Sequence, residues 1–237
     1  MCKYTLLLKL IILTTLLSAC ASPAAPDLPE PPAQDPSGSQ LQTDLQIILL
    51  PEPAFQGNVS LEETLNLRRS VRNFEDTPLT FAQIGQLLWA AQGVTHPAGL
   101  RTAPSAGALY PLEVYAATQD GLYRYNPTDH SLEEIFSHDP RPDLHQAALR
   151  QDSVRDAPLV IVITAAFSRT AQKYGDARTP QYVYLEAGHA AQNILLQAVA
   201  LELGAVPIGA FYDDQVIEVL SLPADETPIY IIPIGHP

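Results

Sequence analysis

An α+β domain with a mainly antiparallel central sheet is the fold that the sequence predicts for residues 44–237, and three observations predict it. Two short β-rich runs, Leu112–Ala117 and Leu122–Tyr125, flank Gln119-Asp120-Gly121 in the manner of a hairpin. Pro158–Ala165 is apolar without alternation, the pattern of a central strand covered on both faces. Helical and strand patterns mix without a regular βαβ rhythm, which argues against a doubly wound parallel sheet. Neither a Gly-rich dinucleotide fingerprint nor a nucleotide-phosphate loop occurs.

The elements follow in chain order. Ser60-Leu61-Glu62-Glu63 has the form of a capping box, in which the Ser60 hydroxyl and the Glu63 carboxylate satisfy reciprocal backbone donors, and it opens a short helix toward Arg69. Thr80, with Gln83 three residues on, opens a second helix over about Phe81–Gln92. Leu87, Leu88, Trp89 and Ala91 give this helix an apolar side, and Gly93 ends it. After the hairpin and the central strand, Tyr182–Leu203 reads as a long helix whose Ala187, Gly188, Ala190 and Ala191 permit close packing. Its polar residues, among them Glu186, His189 and Gln197, exclude a lipid-facing span. The segment Ala205–Gly209, a short helix from near Asp213 and a final strand over 228–235 complete the domain.

The first 19 residues carry Lys3 and Lys9 ahead of an apolar stretch that stops at small residues, the order of a secretory signal. Leu17-Ser18-Ala19-Cys20 resembles a bacterial lipobox, which implies cleavage before Cys20 and a lipid anchor on it, with the protein held at the cell envelope and facing outside the cytoplasm. Residues 20–43 are Pro-rich and nearly free of large apolar side chains, so they read as an extended tether. Cys2 and Cys20 are the two cysteines, leaving the domain with neither a disulfide nor a thiolate metal site. The net charge is −13, and cleavage would leave 11 basic against 26 acidic side chains. Nucleic acid is excluded as a partner, because phosphate-backbone binding needs a basic footprint.

Against that acidic background, Arg68, Arg69 and Arg72 fall within five residues, with Ser70 among them. A cation cluster in an acidic chain asks for an anion, and guanidinium forks suit phosphate. The segment Arg101–Glu113 gathers Pro104, Ser105, Ala106 and Gly107, small residues that let backbone approach a flat ring, beside Tyr110 and Pro111.

Six blocks in this order, LRRSVRNF, LTFAQIGQLLWAAQG, RTAPSAGALYPLEVY, YLEAGHAAQNILLQA, LGAVPIGAF and IYIIPIGHP, resemble the nitroreductase family of FMN proteins, and more closely its azoline-oxidising dehydrogenases. The resemblance implies an intertwined homodimer with FMN at the subunit interface and two-electron chemistry on a small organic or peptide substrate. It assigns Arg68, Arg69, Ser70 and Arg72 to the FMN phosphate and ring edge. Pro104, Ser105, Ala106 and Gly107 become the loop laid over the flavin by the partner chain, and Pro207, Ile208 and Gly209 the segment facing its reactive edge. Lys173, Tyr174 and Tyr182 are the candidates for proton removal. Many relatives add a basic C-terminal tail, whereas this chain ends at Gly235-His236-Pro237. An anchored binding protein that kept the fold and lost turnover is the alternative reading.

The histidines suggest no metal site. His130, His138 and His145, near Asp139 and Asp143, follow no ligand pattern and read as solvated loop residues, while His189 reads as a hydrogen-bonded core or interface residue. Ser105, His189 and Asp213 lack the nucleophile elbow of a hydrolase triad.

Overall fold

The structure, a computed structural model, describes residues 46–237. The expected signal segment 1–19, the expected tether 20–43 and Cys20 lie outside the described residues. In chain order the elements are β1 (Ile47–Leu49), α1 (Leu61–Leu67), α2 (Phe81–Gln92), β2 (Leu112–Thr118), β3 (Gly121–Asn126), β4 (Ser131–Phe136), α3 (Arg141–Ala147), α4 (Asp152–Asp156), β5 (Leu159–Ala166), α5 (Phe167–Tyr174), α6 (Thr179–Ala200), β6 (Gly204–Ala205), α7 (Asp213–Leu220) and β7 (Glu226–Gly235).

Among the described residues the strands form one seven-stranded sheet in the order β1-β4-β3-β2-β5-β7-β6. Every neighbouring pair is antiparallel, as the hairpin signals predict. β5 lies between β2 and β7, with Val114 opposite Ile163 and Ile161 opposite Ile232. All eight of its residues are buried, because alternate side chains enter two cores. Leu159, Ile161, Ile163 and Ala165 join the core that includes α2 and α6, while Val160 and Val162 join the core that includes α3, α4 and α7. The unbroken apolar run is therefore the signature of a sheet covered on both faces.

Local chemistry explains most boundaries. At α2 the full capping box forms: Thr80 Oγ1 accepts from the Gln83 N–H at 3.2 Å, and Gln83 Oε1 accepts from the Thr80 N–H at 2.9 Å. At α1 only half of the predicted box is present, since Ser60 Oγ accepts from the Glu63 N–H and no reciprocal bond returns. Gly93 ends α2 with extended dihedrals rather than in the left-handed region, and a Cβ there would lie 2.1 Å from the Trp89 ring.

The long helix begins three residues earlier than predicted, because Pro180 sits in its first turn, where the missing N–H costs nothing. It also ends three residues earlier, closed by Leu203 N–H on the Ala198 carbonyl, with Glu202 at φ 60°. Ala187, Ala190 and Ala191 are buried as expected, whereas a Cβ on Gly188 would meet open space in the single chain.

The reading of His130 and His145 as solvated loop residues, and of His189 as a core residue, needs correction, whereas His138 is exposed in a loop as expected. His145 lies on α3, is 8% exposed and faces Asp152 at 3.3 Å. His130 is held between the Tyr125 hydroxyl and the Pro51 carbonyl, each at 2.9 Å. His189 is exposed and makes no side-chain hydrogen bond among the described residues. β1, β4, α3, α4 and α5 carry no element in the sequence reading. β4 has two adjacent glutamates that break its alternation, and it is fixed by β3 through the Arg124–Glu133 ion pair.

Candidate functional site

The arginine cluster follows directly from the end of α1. The Arg68 N–H caps the helix on the Thr64 carbonyl, and the chain then extends so that the Val71 N–H donates to the Ala205 carbonyl at 3.1 Å. Ser70 pairs with Ala205 in parallel register. Gly204 makes this approach possible: a Cβ there would fall 2.6 Å from the Val71 side chain. Three residues after Ala205, Ile208 exchanges both backbone hydrogen bonds with Ile231 at 2.8 and 3.0 Å, which fixes Pro207-Ile208-Gly209 against β7. The first and third predicted segments thus stand side by side on one framework.

The groups at this place suit an anionic cofactor. Arg68 is half-buried, while Arg69, Ser70, Arg72 and Gly209 are exposed. Arg69 is held locally by the carbonyls of Asn66 and Arg68 at 2.9 and 2.7 Å. Among the described residues neither Arg68 nor Arg72 has a carboxylate partner, despite the acidic composition. Permanently charged forks left without a protein anion match the donor set that a phosphate needs.

The second group forms around Pro104–Gly107. A tight turn over Ala106–Ala108 places Gly107 at φ 63° and Ala108 at φ 52°, and Ser105 Oγ accepts from the Tyr110 N–H at 2.9 Å. A Cβ on Gly107 would fall 2.8 Å from Lys173 Nζ and 3.0 Å from the Tyr174 hydroxyl, so these two side chains lie directly over the turn. Tyr174 packs on Tyr182, ring centroids 4.7 Å apart. α5 delivers Lys173 and Tyr174 from its last turn, and α6 delivers Tyr182 from its first. All three candidate proton-handling residues therefore gather at one predicted loop.

Within the single chain no hydrogen bond, ion pair or ring contact among the described residues joins this group to the arginine group. A cavity of about 110 Å³, lined in part by Leu79, Ile84, Ala116, Tyr123 and Leu132, contains none of the predicted residues.

Sequence reasoning missed the polar groups that hold the loop. The Arg101 guanidinium donates to Gln92 Oε1 at 2.9 Å and lies 4.4 Å from the centroid of the Tyr110 ring. The Tyr110 hydroxyl accepts from the Arg101 N–H at 3.2 Å, and Arg169 bonds both the Tyr110 carbonyl and Glu113. Glu186 on α6 is 2% exposed beside Ser105, Arg101 and Gln92. Burial pushes its carboxyl up to about 7, against the partial relief these neighbours give. Gln92 and Glu186 are polar residues at helix positions otherwise occupied by core side chains, and only the tertiary contacts reveal what they hold.

A profile of the nitroreductase family matches residues 65–236, which include both groups. The chain belongs to the nitroreductase family. A protein of Methanocaldococcus jannaschii that carries the nitroreductase name is 43% identical over 184 residues, covering 75% of this chain and 91% of the relative. The crystal structure of a Ralstonia eutropha protein bearing the same name superposes with a TM-score of 0.74 at 38% identity, covering 80% of this chain and 89% of that one. The NADPH:FMN oxidoreductase of Vibrio harveyi, complexed with NAD+, gives a TM-score of 0.57 at 25% identity, with 75% and 68% covered. Relatives named in this way are oxidoreductases, and the α+β architecture with helices on both faces of an antiparallel sheet is that of this nitroreductase-family fold.

Proposed function

We propose that this nitroreductase-family chain is an FMN-dependent oxidoreductase that moves two electrons to or from a small organic or peptide substrate. The observation that carries the reading is the backbone pairing of Ser70 and Val71 with Ala205, which sets the guanidinium groups of Arg68 and Arg72, without a carboxylate partner among the described residues, on the same framework as Gly209. The FMN in the name of the Vibrio harveyi relative supports the choice of flavin. Bound there, FMN supplies reversible hydride chemistry. Arg68, Arg69, Ser70 and Arg72 would hold its phosphate and ring edge, and the segment Pro207–Gly209, of which Gly209 is exposed, would face its reactive edge.

Pro104, Ser105, Ala106 and Gly107 would cover the ring from a second copy of the chain. Each group is open on one side in the single chain, and exposed Leu61, Leu65, Tyr184 and Leu185 offer apolar surface for the pairing. The gathering of Lys173, Tyr174 and Tyr182 at Gly107 supports membership of the azoline-oxidising subgroup, with these residues removing or returning a proton at the substrate. The lipobox-like Cys20 supports an anchor at the outer side of a membrane. There the electron partner would be a membrane or protein carrier, or oxygen, rather than soluble nicotinamide.

The absorbance spectrum of the isolated protein tests the first claim, and mature protein that neither carries nor takes up FMN overturns it. Arg68→Ala and Arg72→Ala should each weaken FMN retention, and unchanged affinity in both refutes the phosphate assignment. Anaerobic reduction by nicotinamides, quinols and organic donors identifies the electron partner. Lys173→Ala and Tyr174→Phe should slow the substrate half-reaction by roughly 100-fold or more with FMN retained. Cys20→Ser should release the protein from the membrane fraction.

A further inference from the structure

Beneath the Pro104–Gly107 turn lies a buried polar cluster whose members leave one another little freedom. Gln92 is 1% exposed, and its amide oxygen accepts from Arg101 Nη1. A guanidinium has no acceptor, so the amide must keep its oxygen toward Arg101 and its NH2 toward Glu186. Gln92 Nε2 and Glu186 Oε1 are both buried without a hydrogen-bond partner at ideal geometry, one donor and one acceptor in the same place. On the other side of Glu186 stands Ser105, whose oxygen already accepts from the Tyr110 N–H. Its single hydroxyl proton therefore has one decision left: inward to Glu186, or outward over the half-buried face of the turn.

We propose that Glu186 is a positioning residue that sets the direction of the Ser105 hydroxyl. This inference rests on the reading of the 104–107 turn as the cover of the flavin. When Glu186 is ionised it is acceptor-only and takes the Ser105 O–H for itself. When Glu186 is protonated it donates to the remaining lone pair of Ser105, and the Ser105 O–H turns outward to an acceptor on the ring or substrate. The switch takes up or releases one proton, which Glu186 exchanges with the solvent, while the covalent O–H bond of Ser105 stays intact and only its hydrogen-bond partner changes.

Arg101 is the charge that faces Glu186 directly, and Arg101 is itself surrounded by Tyr110, Glu113 and Arg169. Burial without a close partner for Oε1 places the protonation of Glu186 near neutrality, so both orientations are reachable in ordinary buffers.

FMN affinity, followed by quenching of flavin fluorescence at about pH 5.5 and about pH 8.5, tests the proposal. The FMN phosphate also titrates in this interval, so the criterion is the difference between proteins rather than the slope of one. Glu186→Gln keeps a permanent donor toward Ser105, and its affinity should hold at the low-pH level while that of the wild type falls by about 2- to 10-fold more, the worth of one hydrogen bond. Ser105→Ala should remove this extra fall and bind weakly throughout. Glu186→Gln titrating like the wild type overturns the proposal.

A second measurement on the apoprotein does not depend on flavin. Its infrared difference spectrum between the two pH values should contain a protonated-carboxyl band that Glu186→Gln lacks, and exchange of the Tyr110 amide, corrected for intrinsic rate, should differ between the two pH values in the wild type alone. A wild type that binds no FMN at either pH overturns the functional reading, and the apoprotein spectra then decide the Glu186 assignment by themselves. A wild-type band missing at low pH refutes that assignment whatever the flavin does.

Discussion

Position 93 illustrates how much can rest on one missing methyl group. A Cβ there would sit 2.1 Å from the Trp89 ring, so Gly93→Ala must displace a half-buried indole. The expected cost is about 1–3 kcal/mol, read as a lower denaturation midpoint at constant m-value; an unchanged midpoint contradicts the packing. Glu186 makes an opposite kind of prediction. Its folded carboxyl is raised from 4.5 to about 7, mainly by burial, so the folded state holds a proton that the unfolded state releases. Its share of stability is complete below about pH 4.5 and is lost as pH rises through about 7. Glu186→Gln should remove that loss and make the protein more stable than wild type near pH 8, by about 1–3 kcal/mol. Urea unfolding at several pH values checks this, and parallel pH curves for the two proteins refute it.

The starts of α1 and α2 were legible as chemistry between residues three apart, and these two capping sites differ in a way that can be measured. Thr80 and Gln83 satisfy each other's backbone donors at α2, whereas Ser60 accepts one bond at α1 and receives none in return. Thr80→Ala should cost about 1 kcal/mol or somewhat more, with Ser60→Ala nearer about 0.5 kcal/mol. A larger loss at Ser60 would mean that α1 contributes more than its cap geometry indicates. The limits of α6 were less legible. α6 stops through the positive φ of Glu202, a residue with no sequence signature for that role, held there by Leu203 bonding back to Ala198. α5 escaped notice because its eight residues follow β5 at once and only Thr170 is buried.

For the molecule as a whole, the open sides of the two residue groups and the exposed apolar side chains of α1 and α6 belong to one expectation. The protein should sediment as a dimer with a melting temperature that rises with protein concentration, and Leu185→Glu should shift it toward monomer and weaken FMN retention together. A monomeric wild type that still binds FMN tightly would separate the two properties and refute the shared interface. FMN at a hundredfold excess over its dissociation constant should add about 2.7 kcal/mol of stability.

By itself the sequence determined the antiparallel sheet, the doubly covered central strand, the span of α2 and the membership of Arg68, Arg69, Ser70 and Arg72 in one cationic segment, because each depends on side chains close together in the chain. It also marked the turn at Pro104–Gly107 by composition. Only the tertiary structure decided that Ser70 runs beside Ala205, that Lys173 and Tyr174 close over Gly107, and that Glu186 is buried against Ser105. Those contacts join residues tens of positions apart or more, and whether a carboxylate faces water or a hydroxyl in a dry core is settled by what packs against it, which no local pattern of residues encodes.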